Sequence, residues 1–240
     1  MRLLNIQTMK MEEYYDKAVP RYAILSHRWG DEEKATIERK SGYSKIVSCA
    51  KLAQKKAEIF PFSHVWIDTC CIDKTNNAEL SEAINSMFKW YKQAIQCIVY
   101  LADVSTGLGT EDMEESVRAS SWFKRGWTLQ ELLAPLIVEF FDQEWISLFE
   151  KSNRADLIQS ITSIDKDILY SSGQLSYACT AKKMSWAAGR VTTRQEDVAY
   201  CLFGIFDVNM PLLYGEGSRA FERLQEEIIK RSGDLSIFAW

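Results

Sequence analysis

Apolar residues gather in four short runs, at positions 22–25, 65–67, 97–101 and 137–141. Runs of this length, bounded by polar or turn-forming residues, predict buried strands. A fifth, weaker run lies at 3–6. Between the first two, SKIVSCAKLAQKKAEI lines up Ile46, Cys49, Ala50 and Ala53 on one stripe with lysines opposite. Between the next two, ELSEAINSMFKWY repeats Leu80, Ile84, Met87, Phe88 and Tyr91 at helical spacing. Strands alternating with helices predict an α/β fold whose sheet is mainly parallel and flanked by helices. Beyond residue 142 the periods turn helical, in DLIQSITSIDKDIL, KKMSWAAGR, EDVAYCLFGIF and SRAFERLQEEIIKR, with no strand expected between them. No linker-like stretch interrupts the chain. The expectation is one domain over 1–240, with an α/β core at 1–141 and a helical C-terminal extension at 142–240 packed on it.

Polar clusters follow the strands. Ser26, His27, Arg28, Trp29, Gly30 and Asp31 come after the first run, and Asp68 to Asp73 (DTCCID) after the second. On parallel sheets ligands bind beyond the carboxyl ends of the strands, so both clusters belong on one rim. The competing structural reading is that Trp29 and the cysteines pack and the aspartates cap helices. A third cluster, SSWFKRGWTLQELLAP, predicts a short amphipathic helix stopped by Pro135. Glu131 sits among its leucines, either solvated, with Arg125 as a plain ion-pair partner, or turned into a cleft, where burial raises its pKa. LYGEGSRAF sets two glycines before a helix, which suits an anion cradle but more simply a helix start.

Composition narrows the picture. Hydrophobic residues make up 47% and charged residues 26% of 240, ordinary for a globular protein with a substantial core. A formal net charge of −4 argues against a nucleic-acid partner. No run of 18 apolar residues predicts a membrane span. MRLLNIQTMKMEEYYDK has no apolar run or small-residue cleavage site of a secretory signal, so a cytoplasmic location is expected. The six cysteines form no CxxC pair, and vicinal Cys70–Cys71 suits a disulfide poorly, so reduced thiols are expected. The spacing of His27, His64 and that pair does not suit a structural zinc finger, and no metal is expected. A GxxxxGK[ST] phosphate loop is absent.

Taken together, YAILSHRWG, VWIDTCCIDK and WFKRGWTLQELLAP resemble the three signature motifs of the fungal heterokaryon-incompatibility (HET) domain. TTRQEDVAYCLFGIFDVNMPLLYGEGSRAFERLQEEII and DLSIFAW resemble the segments C-terminal to those motifs in such proteins, so the similarity covers nearly the whole chain. The resemblance implies a domain that triggers cell death when incompatible hyphae fuse, one that commonly precedes a nucleotide-binding and repeat region not present here. HET domains are similar in turn to TIR domains, which have a flavodoxin-like sheet. AILSHRWGDEE resembles the TIR strand and loop of the type FISYRGDD, and SSWFKRGWTLQEL resembles the TIR S-x-W-C-x-x-E-L segment. Its glutamate falls on Glu131 and its tryptophan on Trp127, or on Trp122 if the longer spacing is absorbed differently.

This resemblance implies chemistry on NAD, as substrate and not as a cofactor. In TIR enzymes that glutamate is the carboxylate that cleaves the nicotinamide–ribose bond, a reaction with an oxocarbenium-like transition state. Glu131 is then the catalytic residue, with Ser26, His27, Arg28, Trp29, Asp68, Asp73 and Trp127 binding substrate. Trp29 suits ring stacking, Arg28 the pyrophosphate and Asp68 and Asp73 the ribose hydroxyls. Activation by homo-oligomerisation and control by an attached or separate sensor are also implied. Phe60, Phe62 and the run FKWY at 88–91 are the expected self-association face. Two other classes compete: a TIR-like self-association module without chemistry, and a thiol hydrolase using Cys70 or Cys71 with His27.

Overall fold

The computed structural model describes residues 1–15, 19–28, 41–105, 107 and 110–239, with 41, 42, 110 and 111 described in backbone only. Trp29, Gly30 and Asp31 lie outside the described residues. The strands are β1 (Arg2–Asn5), β2 (Met11–Glu13), β3 (Tyr22–His27), β4 (His64–Trp66), β5 (Gln96–Tyr100), β6 (Val138–Phe141) and β7 (Ser147–Glu150). They form one sheet in the order β2-β1-β4-β3-β5-β6-β7. β4, β3, β5 and β6 run parallel, whereas β1 on one side and β7 on the other are antiparallel to them, and β2 pairs antiparallel with β1. The sheet is therefore mixed, correcting the mainly parallel one expected. The 142–240 segment also contributes a strand, β7.

MEE and SLFE are edge strands with half or more of each strand facing solvent, so no apolar run marks them, while the apolar run of β1 does not by itself set the direction of its strand. In the central strands the side chains alternate between two cores. Tyr22, Ile24, Trp66, Cys97, Val99, Val138 and Phe140 face one, and Ala23, Leu25, Val65, Ile98, Tyr100 and Phe141 the other.

Helix α1 (Ser41–Lys56) covers the second face through Cys49 and Ala53. α2 (Asp68–Cys71) is a single turn off the end of β4. α3 (Asn77–Gln93), capped by Asn76 Oδ1 accepting from the amides of Ala78 and Glu79, covers the first face through Ala83, Ile84, Met87 and Tyr91. α4 (Thr110–Ala119) and α5 (Thr128–Leu133) lead into β6. The remaining helices join the first face: α6 (Ala155–Thr162), α7 (Lys166–Tyr170), α8 (Thr180–Ala187), α9 (Asp197–Tyr200), α10 (Phe203–Phe206) and α11 (Arg219–Arg231). α10 reaches α3 so closely that a Cβ on Gly204 would stand 1.9 Å from Phe88 Cβ. That contact, with Phe62 and Tyr91 buried, packs three of the aromatics expected on a self-association face into the interior. No helix among the described residues is long and apolar enough to cross a membrane.

Candidate functional site

Ser26 and His27 are the last two residues of β3 rather than part of a following loop. Alternation along the strand puts Ser26 on the face shared by Tyr22 and Ile24, which is the face that α5 covers. There the Ser26 hydroxyl donates to Glu131 Oε2, and Trp122 Nε1 donates to Ser26 Oγ at 2.8 Å. Tyr91, from α3, donates to the Leu25 carbonyl at 3.2 Å and lies within hydrogen-bonding reach of the same carboxylate. β3, α3 and the turn before α5 thus converge on one side chain.

Every residue of α5 is buried, Glu131 included. Burial raises its pKa from 4.5 to about 7. The nearby Arg125 charge and the Ser26 and Tyr91 hydrogen bonds pull the other way, while Asp68 adds to the rise. Arg125 does not salt-bridge the carboxylate; its Nη1 donates to the His27 carbonyl at 2.8 Å and acts on Glu131 through its field.

A buried lysine and a partly buried arginine clamp this helix. At its start, Arg190 donates through Nη1 to the Arg125 carbonyl at 3.0 Å and to Thr128 Oγ1 at 3.1 Å, and through Nε to the Trp186 carbonyl at 3.0 Å. At its end, Lys151 Nζ donates to the carbonyls of Leu132 at 3.1 Å and Pro135 at 2.6 Å, where a positive charge suits the helix dipole. Burial lowers the pKa of Lys151 to about 8 and that of Arg190 to about 10. Neither residue was singled out from sequence. A lone Lys or Arg in a polar stretch carries no local mark of the carbonyls it will meet.

Glu131 faces a cleft of about 270 Å³ at the carboxyl ends of β3 and β4. Its floor is apolar, from Trp66, Ile72, Ile84 and Met87, and its rim holds His27, Asp68, Arg125 and Trp127. His27 Nδ1 lies 3.8 Å from Asp68 Oδ1, and Lys74 Nζ lies 3.6 Å from Asp68 Oδ2. The far wall is Thr193, Arg194, Asp197 and Tyr214, from the C-terminal extension. Asp197 accepts from Trp127 Nε1 at 3.2 Å and from Tyr214 Oη at 3.0 Å, and the Arg194 guanidinium stacks 4.2 Å from the Tyr214 ring. Backbone bonds lace this wall to the turn before α5: Val191 N to Lys124 O at 2.7 Å and Gly126 N to Val191 O at 2.9 Å. Gly126 is required there, because a Cβ would meet Thr192 Cγ2 at 2.6 Å.

Of the residues expected in the site, Ser26, His27, Asp68, Trp127 and Glu131 come together around this cleft. Arg28 lines an adjoining recess. Asp73 is not among the cleft-lining residues; its carboxylate accepts from the Thr75 amide at 3.0 Å and hydroxyl at 2.6 Å, closing a turn. Trp29 lies outside the described residues. Of the two tryptophans, Trp122 is the buried one bonded to Ser26, and Trp127 faces the cleft. Cys70 does not line the cleft either, and its thiol packs 4.0 Å from Cys71 Sγ. His27 and His64 stand at opposite ends of the strands, since Tyr22 is the register partner of His64; five residues of strand, about 16 Å, keep them from sharing a metal. The glycines of LYGEGSRAF hold an internal anion, with the amides of Gly215 and Gly217 donating to Glu196 Oε1 at 2.8 and 3.1 Å.

Residues 22–117 match the family model described as "Heterokaryon incompatibility protein (HET)", and residues 219–240 match a "Domain of unknown function (DUF8212)". The chain is 47% identical over 232 residues to the "Vegetative incompatibility protein HET-E-1" of Podospora anserina. The match takes in 91% of this chain but only 17% of that protein's length. No solved structure matches. The motif-bearing strand ends and the near-complete overlap with this relative agree, and the chain carries a heterokaryon-incompatibility (HET) domain.

Proposed function

We propose that this domain is the death-inducing effector of an incompatibility reaction and that it hydrolyses NAD to nicotinamide and ADP-ribose. The observation that carries the reading is Glu131: a buried carboxylate held by the Ser26 hydroxyl rather than neutralised by a bonded cation, facing a cleft at the ends of parallel strands. The order β4-β3-β5-β6 supports a flavodoxin-like, TIR-like core, because the chain reverses direction across the sheet between β3 and β5. The relative's printed role in vegetative incompatibility supports the biological setting.

In this reading the C1′–N bond breaks with its electron pair passing to the pyridinium nitrogen, so nicotinamide leaves neutral and without acid help. Positive charge then develops on the ribose, and ionised Glu131 stabilises it in a water-poor site. Water adds at C1′ and releases a proton. Ser26 fixes the carboxylate's orientation, with Tyr91 beside it, and Arg125 keeps more of it ionised near neutrality. Trp127 presents a ring face to the substrate, while Asp68 is placed to meet ribose hydroxyls. Activation by self-association belongs to the same reading.

The test is nicotinamide release from NAD by purified protein, dilute and concentrated, beside Glu131→Gln. Release that rises with concentration and vanishes in the variant supports the reading. Absence of release at every concentration, or full turnover by a folded Glu131→Gln, overturns it.

A further inference from the structure

Beside the Glu131 cleft lies a second recess of about 370 Å³. The two share a wall made of Arg125, Trp127, Thr193 and Asp197, so they are separated by the thickness of one side chain. Their charges differ. The cleft brings Lys74, Arg125 and Arg194 against Asp68, Glu131 and Asp197. The recess brings Arg28, Lys124 and Arg125 against Asp197 alone. Asp197 is turned toward Trp127 and Tyr214, which use both its oxygens. Among the described residues, none of the three cations is ion-paired with a carboxylate, in a chain whose net charge is −4.

Gathering in one recess three cations that have no carboxylate partner among the described residues costs repulsion that an anion relieves. Guanidinium and ammonium groups converging on a concave site suit phosphate oxygens, which accept several charge-assisted bonds at once. A nucleic-acid strand is a poor occupant, because the recess is closed on one side by the C-terminal wall and the rest of the chain is acidic. We propose that this recess receives the phosphate groups of a nucleotide whose ring and ribose occupy the Glu131 cleft, with Arg28 and Lys124 binding phosphate and Arg125 spanning both chambers. The identity of the whole substrate rests on the glycohydrolase reading above, whereas phosphate binding does not. The C-terminal extension is then part of the substrate site, since Thr193 and Asp197 form the ridge over which the nucleotide bends.

The experiment pairs binding with turnover. Inorganic pyrophosphate and ADP-ribose are titrated calorimetrically into the wild-type chain and into Arg28→Gln/Lys124→Gln, and KM is measured for NAD and for phosphate-free nicotinamide riboside. Each cation removed should weaken pyrophosphate and ADP-ribose by about tenfold. KM for NAD should rise in step, and KM for the riboside should not. Lys124 is exposed, so Lys124→Gln alone repeats the test at no risk to the fold. Pyrophosphate that binds the wild type and is lost in the variant supports the recess even if NAD is never cleaved, in which case only the glycohydrolase reading falls. Cleavage of NAD with pyrophosphate and KM indifferent to both substitutions overturns the recess and leaves the reading standing. Failure of pyrophosphate and ADP-ribose to bind the wild type overturns it as well.

Discussion

Glu131 and Glu139 lie eight positions apart, one on α5 and one on β6, and both are buried, at 5% and 4% exposure. Their surroundings are opposite. Glu139 meets Lys56 Nζ at 2.6 Å and accepts from Gln96 Nε2 at 2.6 Å and Ser147 Oγ at 2.7 Å, so its charge and its lone pairs are met. Glu131 has one hydroxyl donor in Ser26, a cation that binds elsewhere, a second carboxylate in Asp68 nearby, and a cleft in front of it. Burial alone therefore does not mark a reactive carboxylate. What separates the two is whether the fold neutralises the charge it buries. Glu139 ties β6 to α1 and to the edge strand β7. Glu131 remains costly to ionise, which is the condition under which a developing positive charge in the cleft relieves it most.

The comparison breaks if the two glutamates respond alike. Glu139→Gln strands Lys56 and should cost about 3 kcal/mol of stability, read by denaturant unfolding near neutral pH. Glu131→Gln should act in the other direction. Its folded pKa is raised from 4.5 to about 7, so the native state keeps the proton that the unfolded chain has already lost. Wild-type stability thus falls as pH rises from about 4.5 to about 7, and the full cost, at most about 3 kcal/mol, is present above that window. Glu131→Gln should therefore be the more stable protein at about pH 8 by about 2–3 kcal/mol, with the gain gone at about pH 4.

Smaller effects sharpen the picture of how Glu131 is held. Arg190→Leu removes a donor from the Arg125 carbonyl before α5 and from the Trp186 carbonyl at the end of α8, and should cost about 2 kcal/mol together with a loss of turnover. Trp122→Phe removes the N–H that fixes Ser26 together with part of a buried ring, and should cost about 2 kcal/mol while lowering kcat more than it changes KM. A Trp122→Phe variant with intact kcat would show that the Ser26 orientation is indifferent to the carboxylate.

The half of the site built on the sheet was legible in the amino-acid order. Apolar runs placed the four parallel strands to within one or two residues, and clusters after two of them marked Ser26, His27 and Asp68. Pro135 marked the end of the Glu131 helix. The other half was not legible. Thr193, Arg194, Asp197 and Tyr214 meet the cleft from about 70 to 90 positions beyond Arg125, and nothing in a polar loop or a short helix announces so distant a neighbour. Lys151 and Arg190 went unread for the same reason. Their partners are backbone carbonyls, which every residue type carries. Asp73 shows the converse, since its carboxylate after a strand closes a local turn, which a carboxylate does as readily as it meets a ligand.

The central claim is that ionised Glu131 drives cleavage from a buried position. The most direct test is the pH profile of kcat/KM for nicotinamide release from NAD, run on the wild type and on Glu131→Gln at matched concentration. The expected result is a wild-type limb that rises with pH through about 7, following the raised pKa of the free carboxylate, and a flat background in Glu131→Gln at every pH. The limb of kcat should lie lower, because the cationic pyridinium of bound substrate favours the ionised carboxylate. A wild-type profile with no limb in this range, or the same limb surviving in Glu131→Gln, would contradict the claim.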